Sequence, residues 1–171
     1  ALSANLVNPG TQTLSAITSG ETPSSKTFVV GGTKIENISI SDVSAGWSVT
    51  PANPSIGSTV TISYTGDATS VGTKSGTFKI SADPIHGSTL STTEYTVNMS
   101  LVVNAKVSTI TVNPSSLDWG SVEIQSSSHE DKFVDVSSDN VDTITVTSIP
   151  TGFALQDMGT FSAVEAGDTI G

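Results

Sequence analysis

Few side chains in this chain could do chemistry, and those few stand apart. His86 and His129 are the only histidines among 171 residues, and there is no cysteine. A general base or a metal ligand needs a partner held beside it. Both histidines lie in polar loop sequence, in different halves of the chain, and neither has a second histidine close by. Each reads as a solvated loop residue. Carboxylates gather at Glu130, Asp131, Asp135, Asp139 and Asp142. An oxygen-rich loop could bind calcium, but the regular Asp-x-Asp-x-Asp-Gly spacing is absent, and Ser137-Ser138-Asp139-Asn140 reads as a polar turn. A carboxylate-pair hydrolase needs a cleft that raises one pKa, and nothing here calls for one. No catalytic, cofactor-binding or metal-ligating residue is assigned, no cofactor is expected, and the chain is expected not to be an enzyme.

Other residues could carry a ligand or a modification. Asn37-Ile38-Ser39 and Asn98-Met99-Ser100 are N-glycosylation sequons, and alternation turns Asn37 and Asn98 outward. Trp47, Trp119, Tyr64 and Tyr95 are the aromatics a sugar-binding face would use. Tyr64 and Tyr95 keep step with inward Val and Ile residues, and Trp47 stands where Phe153 stands further on, so these three read as core. Trp119 is the candidate ligand contact. Lys26 and Asn98 could form a stiffening isopeptide only if both were buried, which alternation denies to Asn98.

The elements that must hold these residues are strands. Val60, Ile62 and Tyr64 alternate with Thr59, Thr61 and Ser63, and Tyr95, Val97, Met99, Leu101 and Val103 continue the pattern later. Period two marks strands with one buried and one wet face. Turn clusters such as Gly31-Gly32, Asn53-Pro54, Thr65-Gly66-Asp67 and His86-Gly87 separate them. Strands are expected near 4–8, 13–18, 25–31, 36–41, 45–50, 58–65, 74–82 and 91–103, then near 107–112, 117–123, 130–137, 142–148, 152–157, 160–165 and 168–170.

The chain also repeats itself. Val7-Asn8-Pro9 returns as Val112-Asn113-Pro114, and Phe28-Val29 as Phe133-Val134, both at a spacing of 105. Gly46-Trp47 returns as Gly152-Phe153, and Gly57-Ser58-Thr59-Val60 as Gly167-Asp168-Thr169-Ile170. Two tandem immunoglobulin-like β-sandwiches follow, 1–105 and 106–171. The second lacks counterparts of the last strands of the first and reads as truncated or as completed by strand exchange with a neighbouring chain. The short join at Asn104-Ala105-Lys106 has no Gly/Ser tract and implies an end-to-end layout, as in a stalk.

Composition narrows the partners. About a third of the chain is Ser or Thr, and the net charge is −10. Nucleic acid and anionic membrane surfaces are disfavoured, since both demand clustered Lys and Arg. No apolar run approaches the roughly 20 residues of a spanning helix, so no membrane insertion is expected. A protein or glycan ligand remains open.

An ordered set of motifs runs through both halves. It reads Val112-Asn113-Pro114-Ser115-Ser116-Leu117-Asp118-Trp119-Gly120-Ser121-Val122, then Phe133-Val134-Asp135-Val136. In the first half it reads Gly46-Trp47-Ser48-Val49-Thr50-Pro51, Gly57-Ser58-Thr59-Val60-Thr61-Ile62-Ser63-Tyr64 and Gly76-Thr77-Phe78-Lys79-Ile80-Ser81. This order resembles the choice-of-anchor D and ASH type of tandem Ig-like modules found in secreted Bacteroidetes proteins. The resemblance implies a structural or adhesive module of a larger secreted or cell-surface bacterial protein. Asp142-Thr143-Ile144 and Asp168-Thr169-Ile170 have the form of the Asp-Ser/Thr-aliphatic O-glycosylation motif of that group, which makes Thr143 and Thr169 candidate attachment points. A carbohydrate-binding module, an accessory domain of a secreted hydrolase and a pilus-type subunit are the alternatives.

Overall fold

A computed structural model describes residues 2–121, 130–141, 143–154, 161–162 and 169–170. Among them the regular elements are all strands, so the fold is all-β. The chain divides into two compact units, Ala1–Ala105 and Lys106–Gly171.

Unit one begins with β1 (Leu2–Ser3), β2 (Asn5–Leu6), β3 (Gln12–Thr13), β4 (Ile17–Thr18), β5 (Lys26–Val29) and β6 (Gly32–Thr33). It continues with β7 (Ile35–Ser41), β8 (Trp47–Thr50), β9 (Thr59–Tyr64), β10 (Gly72–Pro84), β11 (Ser88–Thr89) and β12 (Glu94–Asn104). One sheet runs β3–β12–β10–β7, with β4 also beside β12, and a second runs β5–β9–β8. Strand pairs β2–β6 and β1–β11 are added at the margins.

Alternation explains why the two sheets close on each other. On β10 and β12 the residues Phe78, Ile80, Val97, Met99, Leu101 and Val103 are buried, while Thr77, Lys79, Thr96 and Asn98 between them stay in contact with water. Val60 and Ile62 on β9 and Trp47 and Val49 on β8 join the same core. Phe28 of β5 stacks on Phe78 of β10 with ring centroids 6.0 Å apart. Trp47 meets Tyr64 edge-on at 5.0 Å. Its indole lies so close over Gly76 that a Cβ there would stand 2.5 Å from Nε1. Only glycine permits that approach.

Two departures from strict alternation have visible causes. The strand expected over 13–18 is broken into β3 and β4. Gln12 and Leu14 point inward, and so does Ile17, one residue out of phase. A continuous strand cannot bury all three. Where β7 lies against β10 the register slips between Ser81 and Asp83, leaving Glu36 and Asn37 both exposed. Asn37 takes the left-handed conformation there (φ 49°), which Asn tolerates better than most residues.

Unit two contains β13 (Thr109–Asn113), β14 (Val134–Asp139), β15 (Thr143–Ile144), β16 (Phe161–Ser162) and β17 (Thr169–Ile170). Its sheet runs β13–β14–β17, with β15–β16 apart. The pairs follow unit one: Ile110 faces Ser138 as Asn5 faces Thr33, each shifted by the repeat spacing of 105. Yet the faces have changed phase. Phe28 pairs with Val60, whereas Val134, not Phe133, pairs with Ile170. Phe133 is 57% exposed and Val136 is 6% exposed. The position that the repeat spacing matches to buried Val30 is Asp135, and a carboxylate resists burial where the neighbouring valine does not. Strands expected over 130–137 and 142–148 are accordingly shorter, and residues 117–121 of the stretch 117–123 are not a strand. Thr151 and Gly152 form a turn, not the start of a strand over 152–157, whose last three residues lie outside those described.

Phe78→Ala should cost about 3–5 kcal/mol, measured by urea denaturation of unit one, because it removes a fully buried ring and its stacking partner's contact. A loss below about 1 kcal/mol would contradict the burial of Phe78 in this core.

Candidate functional site

The candidate attachment residues sit on sheet faces. Asn98 is exposed midway along β12, opposite Thr77 of β10. Asn37 is exposed at the β7 irregularity, where its Nδ2 donates to Asp83 Oδ2 at 3.1 Å. Thr143 is exposed on β15. Thr169 lies on β17 beside Asp135, and its side chain is outside the described set. Lys26 and Asn98 belong to different sheets, and Asn98 faces water, so the two are not brought together.

Trp119 is half-buried. Its Nε1 donates to the Glu130 backbone carbonyl at 2.9 Å, and its ring lies tilted against Phe153 with centroids 5.1 Å apart. Phe153 is 54% exposed. Sequence reasoning singled out Trp119 and missed this partner, because the two are 34 residues apart and Phe153 is aligned with the buried Trp47. One polar atom of the indole is satisfied, and an aromatic face beside it is left to solvent.

His86 is exposed in the turn between β10 and β11. His129 and Asp142 lie outside the described residues. Glu130, Asp131, Asp135 and Asp139 are exposed. Among the described residues no group of three His, Cys, Asp or Glu could hold a metal ion.

Two charged groups have built surroundings that the sequence did not announce. Lys79 of β10 reaches Asp42 at 2.9 Å and Glu94 at 3.8 Å. The hydrogen bond to Asp42, with the charges of Asp42 and Glu94, raises its pKa. Exposed pairs of this kind contribute little. Asp67 is the hub of the β9–β10 loop. Its Oδ1 accepts from Thr69 N at 2.8 Å and Thr69 Oγ1 at 2.5 Å, and its Oδ2 accepts from the Ser70 hydroxyl. Tyr64 Oη donates to the Asp67 carbonyl at 3.2 Å. The Ser70 hydroxyl, followed by the Thr69 hydroxyl and N–H, holds the Asp67 carboxyl well below the usual carboxylate range.

No protein-family model matches the chain, and no curated protein matches it.

The sign of the Asp67 effect is fixed by its direction. A depressed folded-state pKa contributes stability that is present above the ordinary aspartate range, near 3.9, and is lost as pH falls through the folded value. In a carboxyl-carbon NMR titration Asp67 should remain ionised at about pH 3, and Ser70→Ala should move its midpoint upward. An ordinary midpoint in the unsubstituted chain would refute the hydrogen-bonded loop.

Proposed function

We propose that the chain is a non-enzymatic tandem of immunoglobulin-like sandwiches, acting as a spacer or adhesive module of a larger secreted or cell-surface bacterial protein. The observation that carries this reading is the strand order of unit one. Taking β3/β4, β5, β7, β8, β9, β10 and β12 as successive strands A to G, C–F–G forms one sheet and B–E–D the other, the division found in constant-type immunoglobulin domains except that A joins G. Fold order alone does not name a ligand.

The outer face of the β5–β9–β8 sheet supports a presenting role. Thr50, Thr61 and Thr27 stand side by side across three strands. Ser48 faces Ser63, whose Oγ lies 2.7 Å from Ser25 Oγ. This uncharged hydroxyl face holds water well and attracts neither cations nor anions. That suits a module that must separate other parts of a protein from a surface. Ligand contacts would then fall on loops and sheet edges.

Placed between a surface anchor and an epitope tag on a bacterial cell, the chain should leave the tag more accessible to antibody than a Gly/Ser linker of equal residue number. Equal accessibility would sink the spacer reading.

The Trp119–Phe153 pair favours a second reading, as a carbohydrate contact. On that reading Trp119→Ala abolishes glycan-array binding while unit one keeps its denaturation midpoint. An unsubstituted chain that binds no glycan would rule it out.

A further inference from the structure

The early and final strands of unit one lie side by side and run in the same direction. β12 pairs β3 in parallel, Met99 with Gln12 and Ser100 with Thr13. It pairs β4 in parallel, Val103 with Ile17 and Asn104 with Thr18. Leu14 N donates to Ser100 O at 2.9 Å, and Ser19 N donates to Asn104 O at 2.8 Å. The Ser100 hydroxyl adds a 3.2 Å bond to Thr13 Oγ1.

Parallel pairing gives tension a particular geometry. Force on the chain draws β3 and β4 toward their N-terminal side and β12 toward its C-terminal side. In a parallel pair these directions are opposed along one axis. The strands must therefore shear, and the bonds between them carry the force together. A hairpin pulled at its two open ends instead unzips, one bond at a time.

The surroundings reinforce this contact. Gln12, Leu14 and Ile17 are buried, which keeps water from competing for the adjoining bonds. Gln12 Nε2 donates to the carbonyls of Pro9 and Gly10 at 2.9 and 3.2 Å, anchoring the approach to β3. Beyond β4, Gly20 N donates to Ala68 O at 2.9 Å and the Ser19 hydroxyl donates to Thr69 O. These bonds tie the segment to the loop that Asp67 organises. On its other side β12 is held by β10 along the whole stretch from Gly72↔Val103 to Ser81↔Glu94.

We infer that unit one is a tension-resisting module whose clamp is the parallel contact of β3 and β4 with β12, so that the protein transmits mechanical force along its chain. The inference rests on the spacer reading and adds a mechanical role to it, that of holding its extension under load.

Single-molecule force spectroscopy on the full chain, with handles at its two ends, tests the clamp. The absence of cysteine allows a second geometry, with one handle on a cysteine introduced at Ile56 and the other at the C-terminal end. Unit one should unfold in one event at a clearly higher force between the terminal handles than between Ile56 and the C-terminal end. Ser19→Pro, which removes the donor to Asn104 O in a half-exposed turn, should raise the unfolding rate at constant force about fivefold or more. Ile40→Val, a core change in β7 away from the clamp, should leave that rate nearly unchanged while lowering the denaturation midpoint, and a cooperative denaturation curve for the Ser19→Pro variant shows that it is folded. Equal forces in the two geometries, or a Ser19→Pro rate no higher than that of Ile40→Val, would overturn the clamp. The epitope-access measurement would be unaffected by that failure, so the spacer reading stands or falls on its own.

Discussion

The antiparallel ladder between β10 and β12 is the contact on which the rest of unit one depends. It is the longest pairing among the described residues, and it sets Phe78, Ile80, Val97, Met99 and Leu101 on one face with almost no exposure. β7 joins one side of this pair, and β3 and β4 join the other. The inward face then dictates where β5, β8 and β9 must lie, because Phe28, Trp47, Val60 and Ile62 can leave water only by covering it. The outward face is freed to be polar. Asn98, Thr77 and Lys79 stand there because their neighbours in sequence stand in the core.

Among the described residues of unit two, strand pairing and burial come apart. Its β13–β14 pairing has the same mutual register as β2–β6, so the local strand code is legible in both halves. Yet Ile110 and Val112 are 53% and 44% exposed, whereas Leu6 on β2 is 1% exposed. Pairing of strands alone does not create an interior. A facing sheet must supply one, and within the described residues of unit two Val136 is the buried hydrophobic side chain.

Much of the fold could be read in advance. The long alternating runs at 58–65, 74–82 and 91–103 correspond closely to β9, β10 and β12, since period two has a single structural meaning when it persists. Short segments were less legible. The split of 13–18 into β3 and β4 depends on a one-residue change of phase that only burial reveals, and the exposed pair at Glu36 and Asn37 depends on a bulge opposite Ala82. The candidate site was legible one residue at a time. Trp119 could be named, but not Phe153 beside it. Asp67 could be placed in a turn, but not as the acceptor of three side-chain and backbone donors.

The amino-acid sequence by itself determined that this protein is built of strands and which residues of the long strands face inward. These are consequences of local side-chain chemistry: branched and aromatic residues at alternate positions and abundant hydroxyls. Only the tertiary structure decided that β3 and β4 run parallel to β12, and that Val134 takes the ladder place that repeat spacing assigned to Phe133. Strand direction and partner are set by contacts between segments some 85 residues apart. The phase of a short strand is set by which of two adjacent residues its neighbours can bury. Neither quantity is written in the residues nearby.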